Sequence, residues 1–315
     1  MSVVSANKDL VALYGPDIIH KAIENHVNFS CEASVGGGIP ILMPLHQSLA
    51  ANQIESIVGI LNGTTNYILS QMTETGVNYA NALADAQKQG FAEADPTNDV
   101  CGFDAARKLA ILSSIGFRDN VTFDDVLVEG IEKIDKSDIQ YAKDMGYTIK
   151  LLTVALRQEN GIALNVYPAF LPDNHPLSSV KGAYNAIYVT GNIVDDVMFY
   201  GRGAGALPTA SAVMGDVIST AQHILNGSTG TGMIMTDTKR IPFYSSLKLQ
   251  NSYYFRLDVD DVTGVLSQIA AAFAENDISI CEVVQKRKTK GLAELVLITE
   301  LASRESILQV EKALQ

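Results

Sequence analysis

Phe91-Ala92-Glu93-Ala94-Asp95-Pro96-Thr97-Asn98-Asp99-Val100-Cys101-Gly102-Phe103-Asp104-Ala105-Ala106-Arg107-Lys108-Leu109 crowds four carboxylates at the mouth of a helix whose body, residues 99–115, is otherwise apolar. A helix apolar on most sides reads as a core helix. Asp99 is placed to cap its start, where the positive end of the helix favours an anion. Asp104 and Lys108 stand at i, i+4 and share one face. On the solvent side such a pair contributes only about 0–1 kcal/mol. On an apolar helix it is partly buried, and each charge then requires a specific partner. Spacing leaves two readings open, a structural ion pair and a catalytic pair.

Upstream, the pattern alternates. Val3-Val4 reads as a short strand and residues 6–9 as a turn into an apolar-periodic helix. Gly15-Pro16 breaks that helix, and Asp17 caps a new one over residues 18–25. Residues 27–35 read as a strand ended by Gly36-Gly37-Gly38. Strand–helix–strand alternation is the grammar of an α/β layer. Residues 56–61 read as a buried strand closed by Asn62-Gly63-Thr64-Thr65-Asn66, with helices over 67–73 and 79–89. Downstream, strands at 147–157 and 162–169 flank a Gln158-Glu159-Asn160-Gly161 hairpin, and strands at 185–190 and 195–200 continue an antiparallel sheet. Residues 210–225 are helical, and the Gly/Ser/Thr run 227–232 reads as a linker. The tail, with strands at 253–259, 278–286 and 293–300 and helices at 262–275 and 303–314, is a separate β-α-β-β-α unit.

The 315 residues suffice for two or three domains. Hydrophobic residues at 47% and charged residues at 18% fit an ordinary globular chain. The formal charge of −12 argues against a polyphosphate-binding surface, which needs clustered Lys and Arg. Cys31, Cys101 and Cys281 lie far apart and read as reduced thiols. No window is apolar enough for a membrane span, and the first eight residues lack the pattern of a signal peptide. The expected location is cytoplasmic, with no nucleic-acid or membrane partner. None of the five histidines is assigned a catalytic role.

Four stretches together resemble the homoserine dehydrogenases. Residues 90–108 resemble that family's signature, an acidic residue before Pro, an acidic cap, then Gly-x-Asp-x-x-x-Lys. Val4-Ser5-Ala6-Asn7-Lys8 resembles its "TANK" strand end, residues 31–40 its EAxVGGGIP loop, and residues 62–69 its NGTTNYIL segment. They are collinear and span residues 2–250. The resemblance implies NAD- or NADP-dependent interconversion of L-aspartate 4-semialdehyde and L-homoserine, in threonine, methionine and isoleucine biosynthesis.

It also implies site roles. Lys108 is the acid that protonates the developing alkoxide, and Asp104 orients it and stabilises its charged form. Glu93 and Asp99 match substrate-contacting positions suited to the α-ammonium. Lys8 matches a lysine beside cofactor and substrate. Glu32, Val35, Gly37 and Ile39 match a loop that binds a monovalent cation, a sodium ion, largely through backbone oxygens; read alone, the glycines are a strand-to-helix turn. Residues 201–206 mimic a dinucleotide fingerprint, but no second strand ending in an acid follows. In the family this loop returns to the cofactor, so Gly203 and Gly205 stand as either cofactor contacts or a plain turn. Residues 62–65 look like a phosphate cradle without the Gly-Lys-Ser/Thr ending of a P-loop, and read as pocket wall.

The tail resembles an ACT domain, an amino-acid-sensing module, through Asp260-Asp261-Val262-Thr263-Gly264-Val265-Leu266. This implies pairing into a homodimer or homotetramer and feedback by an effector, threonine. The expected organisation is α/β and α+β. Residues 1–40 are the remnant of a Rossmann-like dinucleotide-binding domain. Residues 41–232 form a mixed/antiparallel-sheet catalytic and dimerisation domain, whose 210–226 helix packs back on the nucleotide domain. Residues 250–315 form a ferredoxin-like ACT domain lacking its final strand. Without the Gly-rich turn these residues are expected to bind the cofactor poorly and to be weak or inactive alone. The competing reading is a catalytically inactive amino-acid-sensing protein.

Overall fold

The computed structural model describes residues 1–230, 241–287 and 291–314. Residues 231 and 232 of the expected linker, and Gln315, lie outside these. The chain divides into two units, Met1–Phe243 and Tyr244–Gln315.

The first unit opens with β1 (Val3–Val4), α1 (Lys8–Glu24) and β2 (Phe29–Ser30), and β1 pairs with β2 in parallel. Asn7 caps α1 by accepting from the Leu10 N–H at 3.0 Å. The expected break at Gly15-Pro16 does not occur; α1 runs through Pro16. A residue before proline normally avoids helical geometry because its Cβ meets the proline ring. Gly15 has no Cβ, so only one backbone hydrogen bond is lost. After β2 the expected strand gives way to a single 3-10 turn, Glu32–Ser34.

Next come β3 (Ile54–Ile60), α2 (Gly63–Thr75), α3 (Tyr79–Lys88), α4 (Thr97–Val100), α5 (Phe103–Phe117), β4 (Leu127–Val128) and α6 (Lys136–Asp144). They are followed by β5 (Tyr147–Gln158), β6 (Gly161–Pro172), β7 (Tyr184–Gly191), β8 (Asp195–Arg202) and α7 (Ala206–Leu225). Six strands form one sheet in the order β4-β6-β5-β3-β7-β8. All neighbours are antiparallel except β4 and β6. The long β5–β6 hairpin turns between Gln158 and Gly161 as expected. Helix α6, whose capping box joins Asp135 and Asp138, was not legible as a helix.

Helices α2 and α5 cover one sheet face. Leu109, Ala110, Ile111 and Leu112 are all buried, so α5 is enclosed on every side. A Cβ at Gly116 would stand 2.7 Å from Ile57 Cδ1, and its absence lets α5 seat on β3. Strand β3 ends at Ile60, so Leu61 and Asn62 emerge from the sheet directly beneath the first turn of α5.

The second unit contains β9 (Gln250–Asn251), β10 (Tyr254–Asp260), α8 (Val265–Ala274), β11 (Ile280–Arg287), β12 (Leu292–Thr299), β13 (Ala302–Ser303) and α9 (Arg304–Ala313). Its main sheet has the order β10-β12-β11. The buried run Ala293–Leu297 fits β12 to the centre, and its core adds Ile269, Phe273, Ile307 and Val310. This is the expected β-α-β-β-α order. Among the described residues no helix is long and apolar enough to cross a membrane.

Candidate active site

Four charged side chains and one amide meet where the start of α5 faces the end of β3. Asp104, only 4% exposed, binds cations on both carboxylate oxygens. Lys8 donates to Oδ1 at 2.5 Å, and Lys108, one helical turn on, donates to Oδ2 at 2.6 Å. The Lys108 ammonium also donates to the Leu61 carbonyl at 2.8 Å. Burial by itself would push the Asp104 carboxyl up; the Lys108 and Lys8 ammonium groups outweigh it and hold the carboxyl well below the ordinary carboxylate range. Burial opposes the charge on Lys8, but the hydrogen bond to Asp104 prevails and raises it.

Asp99 does not cap the long helix. The helical run is broken at Gly102, whose φ of +85° is left-handed and which itself stands at the N-cap of α5. A Cβ at Gly102 would press on Val128 and Val166 at 3.1 Å, so this break is built into the packing. Asp99 belongs to the short α4, and its carboxylate accepts from the Asn62 amide at 2.7 Å. Burial raises its carboxyl above the ordinary value, only partly offset by that hydrogen bond.

Asn62, read from the sequence only as part of a pocket wall, has contacts that the reading did not foresee. It caps α2, its Oδ1 accepting from the Thr65 N–H at 2.8 Å. Its amide nitrogen also reaches Asp104 Oδ2 at 2.9 Å. An Asn before Gly-Thr-Thr signals a helix cap, but nothing local signals that its other end meets two carboxylates from α4 and α5. Glu93 is not brought into the cluster; it is exposed, and its backbone carbonyl accepts from the Gln87 amide at 3.1 Å.

The glycine segments form a second feature. A Cβ on Gly37 would lie 2.5 Å from the Gly203 carbonyl oxygen, and the Gly38 N–H donates to the Arg202 carbonyl at 3.0 Å. The loop 36–38 and the β8–α7 loop therefore pack backbone against backbone. Gly205, with φ +117°, opens α7 and has only Pro208 near its Cβ position. The Glu32 carboxylate accepts from the N–H groups of Ile41, Leu42 and Met43 at 2.5, 2.9 and 2.8 Å. Among the described residues the carbonyls of buried Val35, Gly37 and Ile39 accept no hydrogen bond, while that of Gly36 accepts from Ile39. No group of three or more His, Cys, Asp or Glu side chains among them could hold a metal ion, so a cation here would be held by carbonyl oxygens.

A cavity of about 330 Å³ lies between β2, residues 38–47 and α7, touching Glu32 and Asp216. None of Lys8, Asp99, Asp104 or Lys108 lines it. The charged cluster, with its converging proton donors, is the candidate centre for chemistry.

The chain is similar to known proteins over most of its length. Residues 40–218 match the family model for homoserine dehydrogenase, and residues 253–315 match that for the ACT domain. The homoserine dehydrogenase of Bacillus subtilis is 43% identical over 304 residues, covering 96% of this chain and 70% of that protein. That of Synechocystis is 44% identical over 305 residues, covering 94% and 70%. The crystal structure of a homoserine dehydrogenase from Thiobacillus denitrificans superposes with a TM-score of 0.92 at 38% identity, covering 98% of this chain and 72% of that one. A hyperthermophilic archaeal homoserine dehydrogenase in complex with NADPH matches at TM-score 0.61 and 29% identity, covering 70% and 64%.

Proposed function

The chain belongs to the homoserine dehydrogenase family and carries an ACT domain, and we propose that its charged cluster binds L-aspartate 4-semialdehyde and L-homoserine and moves the proton of their interconversion. The observation that carries this is the convergence of two ammonium groups on the buried Asp104 carboxylate. The reduced dinucleotide, NADH or NADPH, would supply the hydride for the aldehyde carbon, and its oxidised form would accept the hydride in the reverse direction. As that carbon is reduced, its C=O electron pair moves to oxygen, and Lys108 donates a proton to the resulting alkoxide. Asp104 keeps Lys108 aimed through their 2.6 Å ion pair. In the oxidation direction Lys108 takes the hydroxyl proton back. Asp99, charged and half-buried, accepts from the α-ammonium of the substrate, with Glu93 at the rim. Lys8 stands beside the cofactor, with 37% of its side chain exposed.

Gly203 and Gly205 contact the dinucleotide from the side. At Gly205 a Cβ would meet only the Pro208 ring, at 3.5 Å, and the φ of +117° there favours glycine. Among the described residues the one parallel strand–helix–strand unit, β1-α1-β2, carries Ser5-Ala6-Asn7 rather than a Gly-rich turn at its first bend, and we propose that by themselves these residues hold the dinucleotide weakly. The free carbonyls of Val35, Gly37 and Ile39, with Glu32 bracing the loop, suit a sodium ion. Residues 1–40 act as part of the nucleotide-binding layer, residues 41–232 as the catalytic and dimerisation domain, and residues 250–315 as a threonine-responsive module in a cytoplasmic homodimer or homotetramer.

Homoserine-dependent reduction of NADP, followed across a wide range of cofactor concentration, tests the reading. Turnover with a high cofactor KM is expected, and longer amino-acid aldehydes should be poor substrates in the reverse direction. No turnover at cofactor concentrations shown by direct binding to fill the site would overturn it.

A further inference from the structure

We infer that Asn62 is a positioning residue of this site, one whose single amide holds the Asp99 and Asp104 carboxylates together. This rests on the substrate-binding reading of the cluster given above. Asn62 is 4% exposed, and both protons of its amide have an acceptor. The amide nitrogen donates to Asp99 Oδ1 at 2.7 Å and to Asp104 Oδ2 at 2.9 Å, and the carbonyl holds Thr65 N at 2.8 Å. Nothing is left over for substrate, so Asn62 acts through the carboxylates.

The two carboxylates need such a bridge because they are unequally served. The charged and titratable groups that face them are Lys8 and Asp9 from α1, Asp99 from α4, and Asp104 and Lys108 from α5, with the Thr64 hydroxyl at the start of α2. Asp9 pairs with Arg107 at 3.2 Å. Asp104 has an ammonium on each oxygen. Asp99 forms no ion pair among the described residues, sits beside a like charge, and has Asn62 as its close donor. A buried carboxylate in that position tends toward neutrality, and a neutral Asp99 cannot recruit a substrate ammonium. Leu61, the residue before Asn62, meanwhile holds Lys108 through its carbonyl. One dipeptide at the end of β3 thus sets the geometry of both signs of charge.

The test is carboxyl-carbon NMR titration of the whole chain with 13C-labelled aspartate, in wild-type, N62S and N62D, the Asp99 signal being assigned with D99N. Serine keeps the helix cap but removes the amide donors. Aspartate keeps both shape and cap but puts an acceptor where donors stood. In N62S the Asp99 midpoint should rise by about one pH unit or more, since a hydrogen bond to a charged group is of that size. In N62D the three clustered carboxyls should share a proton at higher pH than any does in wild-type. Asp99 midpoints unchanged in both variants would overturn the inference, and N62D carries the test if N62S does not fold.

Calorimetric titration with homoserine and steady-state kinetics form the second arm. N62S should raise KM for homoserine several-fold, most steeply at low pH, with kcat little changed. A purely structural role would not couple the KM to pH. Wild-type protein that titrates as expected but never binds homoserine would sink the functional reading and leave the Asn62 assignment standing.

Discussion

Lys8 and Asp104 are 96 residues apart in the chain and 2.5 Å apart in space. Their contact ties the first residue of α1 to the first turn of α5. Asp104 thereby serves two lysines from two different elements, and each consequence can be measured.

Lys108→Met should lower kcat by a factor of roughly 10²–10⁴, the range for loss of a general acid, with a small change in KM. A melting curve close to wild-type would show that the loss is chemical. Unchanged turnover would remove Lys108 from the mechanism.

Asp104→Asn should cost about 3 kcal/mol near neutral pH, because it strips a buried partner from two ammonium groups. Chemical denaturation measures it. A difference under about 0.5 kcal/mol, the range of ordinary surface substitutions, would show the pairing to be energetically idle.

The same carboxyl predicts an acid limb. Its folded value is depressed, with burial opposing and the Lys108 and Lys8 charges prevailing. Its stabilisation is therefore complete above the unfolded value of about 3.9 and is lost as pH falls through the folded one. Between pH 5 and 3 the wild-type melting temperature should fall more than that of D104N; parallel curves would contradict the assignment.

Asp216 has the opposite sign. Burial pushes its carboxyl up to about 6, the hydrogen bond from the Glu32 N–H notwithstanding. A raised carboxyl in the folded state weakens folding progressively as pH rises from about 4 to about 6. Asp216→Asn, which can still accept from Glu32, should stabilise by about 1 kcal/mol at pH 7.5 and by nothing near pH 4. Equal effects at both pH values would be the wrong answer.

Gly37→Ala should destabilise by roughly 1–3 kcal/mol, since the new Cβ would stand 2.5 Å from a backbone oxygen of Gly203 at a φ of +53°. If the two loops serve the cofactor together, NADPH KM should rise as well. A variant with wild-type melting and KM would dissociate the loops from each other and from the cofactor.

Which parts were readable in advance follows from the range of each interaction. The Asp104–Lys108 pair was legible because helix geometry brings i and i+4 together whatever surrounds them. The β5–β6 hairpin and the tail's β-α-β-β-α order were legible for the same local reason. Asp99 as a helix cap was misread because the short α4 looks like the first turn of α5 until Gly102 is seen in the left-handed region. Lys150 drew no notice, yet it is 2% exposed and bonded to Asn66 and the Val180 carbonyl, with burial pushing it down to about 8. A buried lysine is tolerable only where distant residues deliver acceptors, and periodicity says nothing about those.

By itself the order of residues determined most of the elements, the β-α-β-β-α order of the tail, and the charged helix start, because each depends on neighbours within a few turns of chain. Only the tertiary structure decided that Lys8 and Asn62 complete the cluster and that Glu93 stays outside it. Those outcomes depend on where the end of β3 and the start of α1 come to rest against α5. That placement is set by close packing of α5 on β3, where Gly116 meets Ile57, and of α1 on α5, contacts between residues far apart in the chain.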